Sequence, residues 1–202
     1  MQTNQPATSL LYDLPSIVDR ISLQALFARP QPIEVELGCG DASFLVEHAS
    51  RNQDRNFIGV ERLLGRLGKL DRKGRRAALT NLCGIRIESA YFLKYLLPAR
   101  SAAALHVYFP DPWPKKKHHK NRLINEKFPE LAGQALLPGG SIFLRTDDRA
   151  YFAQMVEVFQ SCREFEPAET PAHLAAVVTD FEAEFNSKGI PTLYAAYRLR
   201  SP

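Results

Sequence analysis

A proline-rich segment in the middle of the chain carries the densest set of side chains suited to chemistry. It runs from His106 to Arg122 and presents Asp111 and Trp113 between prolines. Prolines restrict the backbone, so both side chains can be presented with little ordering entropy left to lose. The basic residues that follow are Lys115, Lys116, Lys117, Lys120 and Arg122. An indole face beside cations predicts a nucleic-acid substrate. The alternative is a structural role, in which the tryptophan packs in the core and the lysines form a solvated surface.

A second candidate site is a glycine turn at the end of an apolar strand. The segment 33–37 reads as a strand that runs into Gly38 and Gly40. Ligands of open α/β sheets bind at such strand ends, and glycine lets the backbone turn tightly and approach them. Glu61 ends the next apolar strand at the spacing from which a carboxylate accepts hydrogen bonds from ribose hydroxyls. The pattern predicts a ligand that contains a nucleoside.

The composition of this turn separates two cofactors that share the geometry. A dinucleotide site has the pattern G-x-G-x-x-G, whereas the third glycine is missing here and Ala42 and Ser43 follow Asp41. Glu36 would repel a pyrophosphate but suits a cationic sulfonium and an amino group. The turn therefore favours S-adenosylmethionine and a methyltransferase over NAD and a dehydrogenase. A glycine turn that only joins a strand to a helix stays open as an alternative.

The elements around these sites alternate between short apolar runs and amphipathic helices, which predicts βαβ units and a mainly parallel sheet in an α/β fold. Residues 1–30 form an N-terminal arm, with a helical pattern around Ile17, Ile21, Leu23 and Leu26. Residues 31–202 form the main domain. The expected strands are 33–37, 57–60, 85–87, 104–109, 141–144 and 193–199.

Composition and charge narrow the class of protein. The net charge of +4 favours a polyanionic partner, and no apolar run approaches the roughly 20 residues of a membrane helix. The N-terminus has no signal-peptide pattern, so we expect a cytoplasmic protein. The three cysteines show no C-x-x-C pair, and lysines surround His118 and His119, so no metal site is predicted.

With these residues in place, the chain resembles the tRNA (guanine-N7-)-methyltransferase family. The resemblance rests on Glu36 to Gly40, on Glu61 and above all on Phe109 to His118, which matches the signature F-P-D-P-W-x-K-x-x-H. Further matches in the same order are 137–140, 145–147 with Tyr151, and 179–182 with Gly189.

The resemblance implies an enzyme that methylates N7 of the guanine at position 46, in the variable loop of tRNA, and that acts as a monomer or homodimer. It implies a Rossmann-like sheet of seven mainly parallel strands with an antiparallel C-terminal strand and helices on both faces. It also implies that Asp111 is catalytic. The implied cofactor contacts are Glu36, Gly38, Gly40, Glu61, Ser89 and Asp111, and the implied substrate contacts are Lys115, Asp147, Thr179 and Glu182.

Three departures from the family pattern keep other functions in view. Ala42 replaces a third glycine, Ser89 replaces an acid that would contact the adenine end of the cofactor, and Asn121 replaces the first of two arginines. Glu88 or backbone groups are the candidates to take over from the missing acid. One alternative is methylation of an exocyclic amine, because Asp111-Pro112-Trp113 is similar to the D-P-P-[YFW] motif. The other is a nucleic-acid-binding module with a vestigial cofactor pocket.

Overall fold

The computed structural model describes residues 9–201. The strands are β1 (Leu11–Tyr12), β2 (Ile33–Leu37), β3 (Asn56–Glu61), β4 (Leu82–Arg86), β5 (Ala102–Tyr108), β6 (Leu136–Thr146), β7 (Phe165–Ala168) and β8 (Leu193–Leu199). The helices are α1 (Leu23–Leu26), α2 (Ser43–Arg51), α3 (Leu64–Arg76), α4 (Ser89–Tyr91), α5 (Phe128–Ala135), α6 (Arg149–Gln160), α7 (Ala172–Ala175) and α8 (Asp180–Ser187). A π-helical turn at Phe92–Leu96 continues α4, and Lys116–Asn121 forms a 3-10 helix.

The strands of this part of the chain form one sheet in the order β1-β4-β3-β2-β5-β6-β8-β7. Strands β1 to β6 run parallel to one another, and β8 runs antiparallel to both β6 and β7. The predicted α/β fold with an antiparallel C-terminal strand is confirmed, but the sheet has eight strands instead of seven. The periodicity missed β1, which has two residues, and β7, an edge strand whose Pro167 is tolerated there.

Helices cover both faces of the sheet, which explains why the central strands are buried throughout. Side chains of alternate residues point to opposite faces of a strand. Val35 and Leu37 of β2 therefore join the core under α5 and α6, whereas Glu34 and Glu36 face the side of α2 and α3. None of the helices between residues 9 and 201 has the length and apolarity to span a bilayer.

The expected N-terminal helix is wrong in extent. Its first eight residues lie outside the described part of the chain, and only Leu23–Leu26 is helical in the rest. The backbone N–H groups of Val18 and Asp19 donate to the Ser16 hydroxyl, both at 3.2 Å, and such local bonds compete with a helix. Further upstream, β1 pairs with β4 as an edge strand.

Candidate active site

The carboxyl ends of five neighbouring parallel strands bring most of the predicted site residues to one edge of the sheet. The glycine turn follows the central strand β2, Glu61 is the last residue of β3, and Ser89 comes shortly after β4. On the other side of β2, Asp111 follows β5 and Asp147 follows β6. This edge is where open α/β sheets bind their ligands.

The glycine turn has a backbone conformation that explains its sequence. Gly38 and Gly40 have φ angles of +77° and +55°, in the left-handed region that glycine enters without strain. Ala42, which stands where the family has its third glycine, is also left-handed with φ 57° and is fully buried. The turn is closed by the backbone N–H groups of Gly38 and Cys39, which donate to the carbonyl of Val60 at 2.8 and 3.0 Å.

Glu36 is a buried acid with an unused oxygen. The residue, two positions before Gly38 in β2, is 4% exposed, and its Oε2 has no hydrogen-bond donor among the described residues. Burial raises the pKa of Glu36 well above its ordinary value. The nearby Arg145 guanidinium opposes this rise in pKa, while Asp41 and Glu61 add to it. A buried acceptor of this kind is suited to a cationic ligand.

The Glu61 carboxylate is held by backbone N–H groups of the glycine turn and of the segment that follows β3. Its Oε2 accepts from the Gly40 N–H at 3.2 Å, and its Oε1 accepts from the Leu63 N–H at 2.8 Å. Each carboxylate oxygen can accept a second hydrogen bond. The carboxylate is therefore held in place and retains capacity for a ligand.

Ser89 lies at the start of α4, half-buried, where the family has an acid. Its neighbour Glu88 is the other candidate for the missing contact. The Glu88 carboxylate caps the helix by accepting from the N–H groups of Ala90 and Tyr91 at 2.9 and 2.7 Å.

The loop that carries Asp111 is strained at both ends. Phe109 and Trp113 have φ angles of 50° and 43°, which cost energy for residues with a side chain. Asp111 between them is exposed, and Trp113 is half-buried with its ring edge against His118. Strain of this kind persists only where surrounding contacts over-determine the backbone, as functional loops often require.

Arg122 supplies one of those contacts, and this corrects its expected place among the cations that bind nucleic acid. The residue is 3% exposed, and its Nε donates to the carbonyl of Pro112 at 2.7 Å. Its Nη1 donates to Gln154, and its guanidinium stacks 4.7 Å above the ring of Tyr151. Arg122 therefore anchors the loop, and the four lysines of the basic run remain exposed.

Thr179 and Glu182 lie inside the protein, although Asp147 is only half-buried. Thr179 caps α8, because its hydroxyl accepts from the Glu182 N–H at 3.0 Å. Glu182 is fully buried and accepts from Arg145 Nη1 at 3.0 Å and from the Tyr194 hydroxyl. Its carboxylate holds α8 against the end of β6.

No role in the site was predicted for Arg145 from the sequence. The signal that could have identified it is a charged residue at the end of an apolar strand, directly before Thr146 and Asp147. Arg145 is 1% exposed and donates to the carbonyls of Val177 and Leu174 as well as to Glu182. Its Nε has no acceptor among residues 9–201.

Comparisons with known proteins agree with this architecture. The family described as putative methyltransferase matches residues 30–195. A solved structure of the 16S rRNA methyltransferase KamB superposes with a TM-score of 0.64 at 14% identity and covers 89% of this chain and 92% of its own. A precorrin-6y C5,15-methyltransferase from Geobacter metallireducens superposes with a TM-score of 0.58 at 14% identity, covering 85% of this chain and 81% of its own. The fold and the site define the class of Rossmann-like S-adenosylmethionine-dependent methyltransferases.

Relatives in sequence define the family more narrowly. The tRNA (guanine-N(7)-)-methyltransferase of Chromohalobacter salexigens is 39% identical over 84% of this chain and 70% of its own length. The enzyme of the same name from Halorhodospira halophila is 34% identical over 89% of this chain and 80% of its own. The chain belongs to the tRNA (guanine-N7-)-methyltransferase family, and its cofactor is S-adenosyl-L-methionine.

Proposed function

We propose that this chain transfers a methyl group from S-adenosylmethionine to N7 of the guanine at position 46 of tRNA. The observation that carries the proposal is the parallel pairing of β2 with β5. Because the glycine turn follows β2 and the Asp111 loop follows β5, the two begin side by side at one edge of the sheet. The names of the relatives support tRNA guanine as the substrate. We also propose that the enzyme acts in the cytoplasm, as a monomer or homodimer.

The residues at the glycine turn fit the amino-acid end of the cofactor. Glu36 has a buried oxygen without a donor, and Arg145 has a buried N–H without an acceptor among the described residues. A group that carries both an ammonium and a carboxylate would satisfy both atoms. Gly38 and Gly40 let the backbone come close to this group.

The other end of the cofactor is a nucleoside, for which Glu61 and Ser89 are the proposed contacts. Glu61 is held by two backbone N–H groups and keeps lone pairs for ribose hydroxyls. Ser89 offers a hydroxyl, which can form a hydrogen bond but brings no charge. The cofactor itself supplies an electrophilic methyl group on a cationic sulfur.

Asp111 is the proposed catalytic residue. Guanine N7 has a free lone pair at neutral pH, so no general base has to remove a proton before it attacks the methyl carbon. As the N–C bond forms and the S–C bond breaks, positive charge develops on the purine. A preorganised carboxylate beside the ring would stabilise this charge. The strained backbone on both sides of Asp111 and the prolines around it support such preorganisation.

The substrate residues divide by exposure into two groups. Lys115 is exposed and suits a tRNA phosphate, and the half-buried Asp147 suits the edge of the guanine base. Thr179 and Glu182 are buried in the cap of α8, so we propose that they shape the base pocket by holding this helix in place.

Methyl transfer from labelled S-adenosylmethionine to bulk tRNA that lacks this modification tests the proposal. Nuclease digestion followed by mass spectrometry identifies the methylated atom, and we expect 7-methylguanosine. A methyl group on an exocyclic amine would support the alternative enzyme. If calorimetry with S-adenosylmethionine gave no heat and no methyl were transferred, the chain would be a binding module with a vestigial pocket.

A further inference from the structure

The second buried glutamate of β2 lies outside the proposed active site and belongs to a cluster that the reaction does not use. Glu34 points to the same side of the sheet as Glu36, two residues closer to the start of the strand. It meets His48 of α2 and His106 of β5, and the three residues are 6%, 2% and 0% exposed. Elements distant in sequence thus bring one carboxylate and two imidazoles together inside the protein.

The geometry points to a binding site for a divalent transition-metal ion of the zinc type, formed by Glu34, His48 and His106. Nε2 of His106 lies 2.8 Å and Nε2 of His48 lies 3.0 Å from the same oxygen, Glu34 Oε2. The three candidate ligand atoms all lie within 4.8 Å of one another. Around zinc, with bonds of about 2.0–2.1 Å, tetrahedral ligand atoms are separated by roughly 3.3 Å. The two distances to Glu34 Oε2 are within about half an ångström of this value, and the rings must move until the two Nε2 atoms, now within 4.8 Å of each other, also reach it.

The outer contacts of the cluster are those that a metal site requires. Ligating histidines need a partner on the second ring nitrogen, and ligating carboxylates are themselves hydrogen-bonded. Tyr108 OH lies 2.8 Å from Nδ1 of His106, and the Asn52 amide lies 3.1 Å from Nδ1 of His48. Arg55 Nη1 donates to Glu34 Oε1 at 3.0 Å, which leaves Oε2 for the ion.

Aromatic side chains fix both imidazole rings. Phe44 stacks on His48 with ring centroids 5.1 Å apart and an interplanar angle of 23°. Phe143 stacks on His106 with ring centroids 5.4 Å apart and an angle of 24°. Because rotation of either ring would disrupt this packing, both Nε2 atoms stay directed at Glu34.

Metal binding moves a proton within each imidazole ring but releases none, so the net charge of the ligands does not change. In the metal-free protein, each Nε2–H donates to Glu34. When the ion binds, each proton moves to Nδ1 of the same ring. On His106 it then donates to the Tyr108 oxygen, and on His48 it donates to Asn52 Oδ1 after the amide has rotated, which breaks the present bond from Asn52 Nδ2 to the His48 carbonyl. A neutral imidazole is the form that binds a metal.

A cavity of about 430 Å³ provides the route of entry. Glu34 and His48 form part of its wall, so an ion can reach the cluster, and a water molecule can complete its coordination. Asp54 and His173 also line this cavity, and His173 stacks on His48 with ring centroids 6.3 Å apart. Asp54 offers a carboxylate and His173 an imidazole at the entrance, where the charge of Arg55 is paired with Glu34.

The site is tested by titrating tag-free, full-length protein with metal ions. A chelator first removes any bound metal and is then itself removed. We expect one equivalent of Co²⁺ to give visible d–d absorption and one equivalent of Zn²⁺ to displace it. Replacing a ligand by Glu34→Gln or His106→Gln should weaken Zn²⁺ binding by at least about 100-fold, and Tyr108→Phe should weaken it by roughly 10-fold or more. His119→Gln, a histidine outside the cluster, is the matched control and should bind Zn²⁺ as the wild type does.

A second measurement on the wild-type protein does not depend on whether the buried variants fold. Nitrogen-15 NMR of the imidazoles distinguishes the two tautomers, and one equivalent of Zn²⁺ should convert two histidines from the Nε2–H to the Nδ1–H form. The proposal is overturned if Zn²⁺ leaves the signals of His48 and His106 unchanged. It is also overturned if Glu34→Gln retains full affinity while His119→Gln loses it. The cluster would then be a hydrogen-bonded network that joins α2 to the sheet.

Discussion

Replacement of Glu36 by glutamine should weaken cofactor binding and at the same time stabilise the free protein. The carboxylate is buried, and its Oε2 has no donor among the residues that the structure describes. In the complex, this oxygen is expected to bind the cationic end of S-adenosylmethionine. Glu36→Gln keeps the shape of the side chain and removes its charge, so it separates the two effects.

The magnitudes follow from the burial of this one group. A hydrogen bond to a charged group contributes about 1.5–3 kcal/mol, which corresponds to roughly 10- to 150-fold in the dissociation constant. At pH values where Glu36 is ionised, removing its buried charge should stabilise the free protein by about 1 kcal/mol or more. For a chain of this size, that is a rise of roughly 2–4 °C in the unfolding midpoint.

The stability of the protein and its affinity for the cofactor should both depend on pH through Glu36. Burial raises the pKa of Glu36 well above its ordinary value of 4.5, so the folded protein holds this proton more tightly than the unfolded chain does. The stability from this group is fully present below pH 4.5 and is lost as pH rises through the folded pKa. The excess stability of Glu36→Gln should therefore grow with pH across this window. Affinity of the wild type for the cationic cofactor should rise over the same window.

Calorimetric titration with S-adenosylmethionine and thermal unfolding, both at several pH values, measure the two effects. Glu47→Gln is a suitable control because Glu47 is exposed on α2 in an ion pair with Arg51, and it should change neither quantity. If Glu36→Gln bound the cofactor as tightly as the wild type, the assignment of this oxygen to the cofactor would be wrong. A variant that was less stable at neutral pH would show that the carboxylate is well satisfied in the free protein.

Three further substitutions test other parts of the site. Asp111→Asn should lower kcat by about 100-fold or more with little change in the Kd for tRNA, and near-normal turnover would remove Asp111 from the mechanism. Lys115→Ala should weaken tRNA binding and reduce the slope of log Kd against log salt concentration by about 1, whereas an unchanged slope would mean that Lys115 contacts no phosphate. Tyr194→Phe leaves a buried oxygen of Glu182 without its donor, so denaturant unfolding should show a loss of about 1–3 kcal/mol, and equal stability would mean that this hydrogen bond is not formed.

The sequence could predict the edge of the sheet where the candidate residues lie, because in a parallel sheet the ends of apolar strands fix that position. The glycine turn, Glu61 and Asp111 each follow a strand that the apolar runs indicated. The pattern could not show the partners of side chains across the fold. Arg122 was read with the lysines because a charge in sequence carries no sign of burial, and only packing against Tyr151 and Pro112 distinguishes it.

The sequence also could not predict the contacts of buried polar residues on the central strands. Glu34 and His106 belong to different strands that pair only in the folded protein, so nothing in their spacing predicts that they meet. Arg145 likewise finds its backbone acceptors far along the chain, at Leu174 in α7 and at Val177 in the loop before α8. The prediction of an N-terminal helix was wrong for a local reason. Hydrogen bonds to the Ser16 hydroxyl compete with the helix that the amphipathic pattern indicated.

The most direct test of the account is methyl transfer to a tRNA that carries 7-deazaguanosine at position 46. This base keeps the exocyclic amine and the pairing edge of guanine but has no N7 lone pair to attack the methyl group. We predict that the altered tRNA binds with nearly the affinity of the guanosine form and accepts no methyl group. Transfer at a comparable rate to the altered tRNA would contradict methylation at N7.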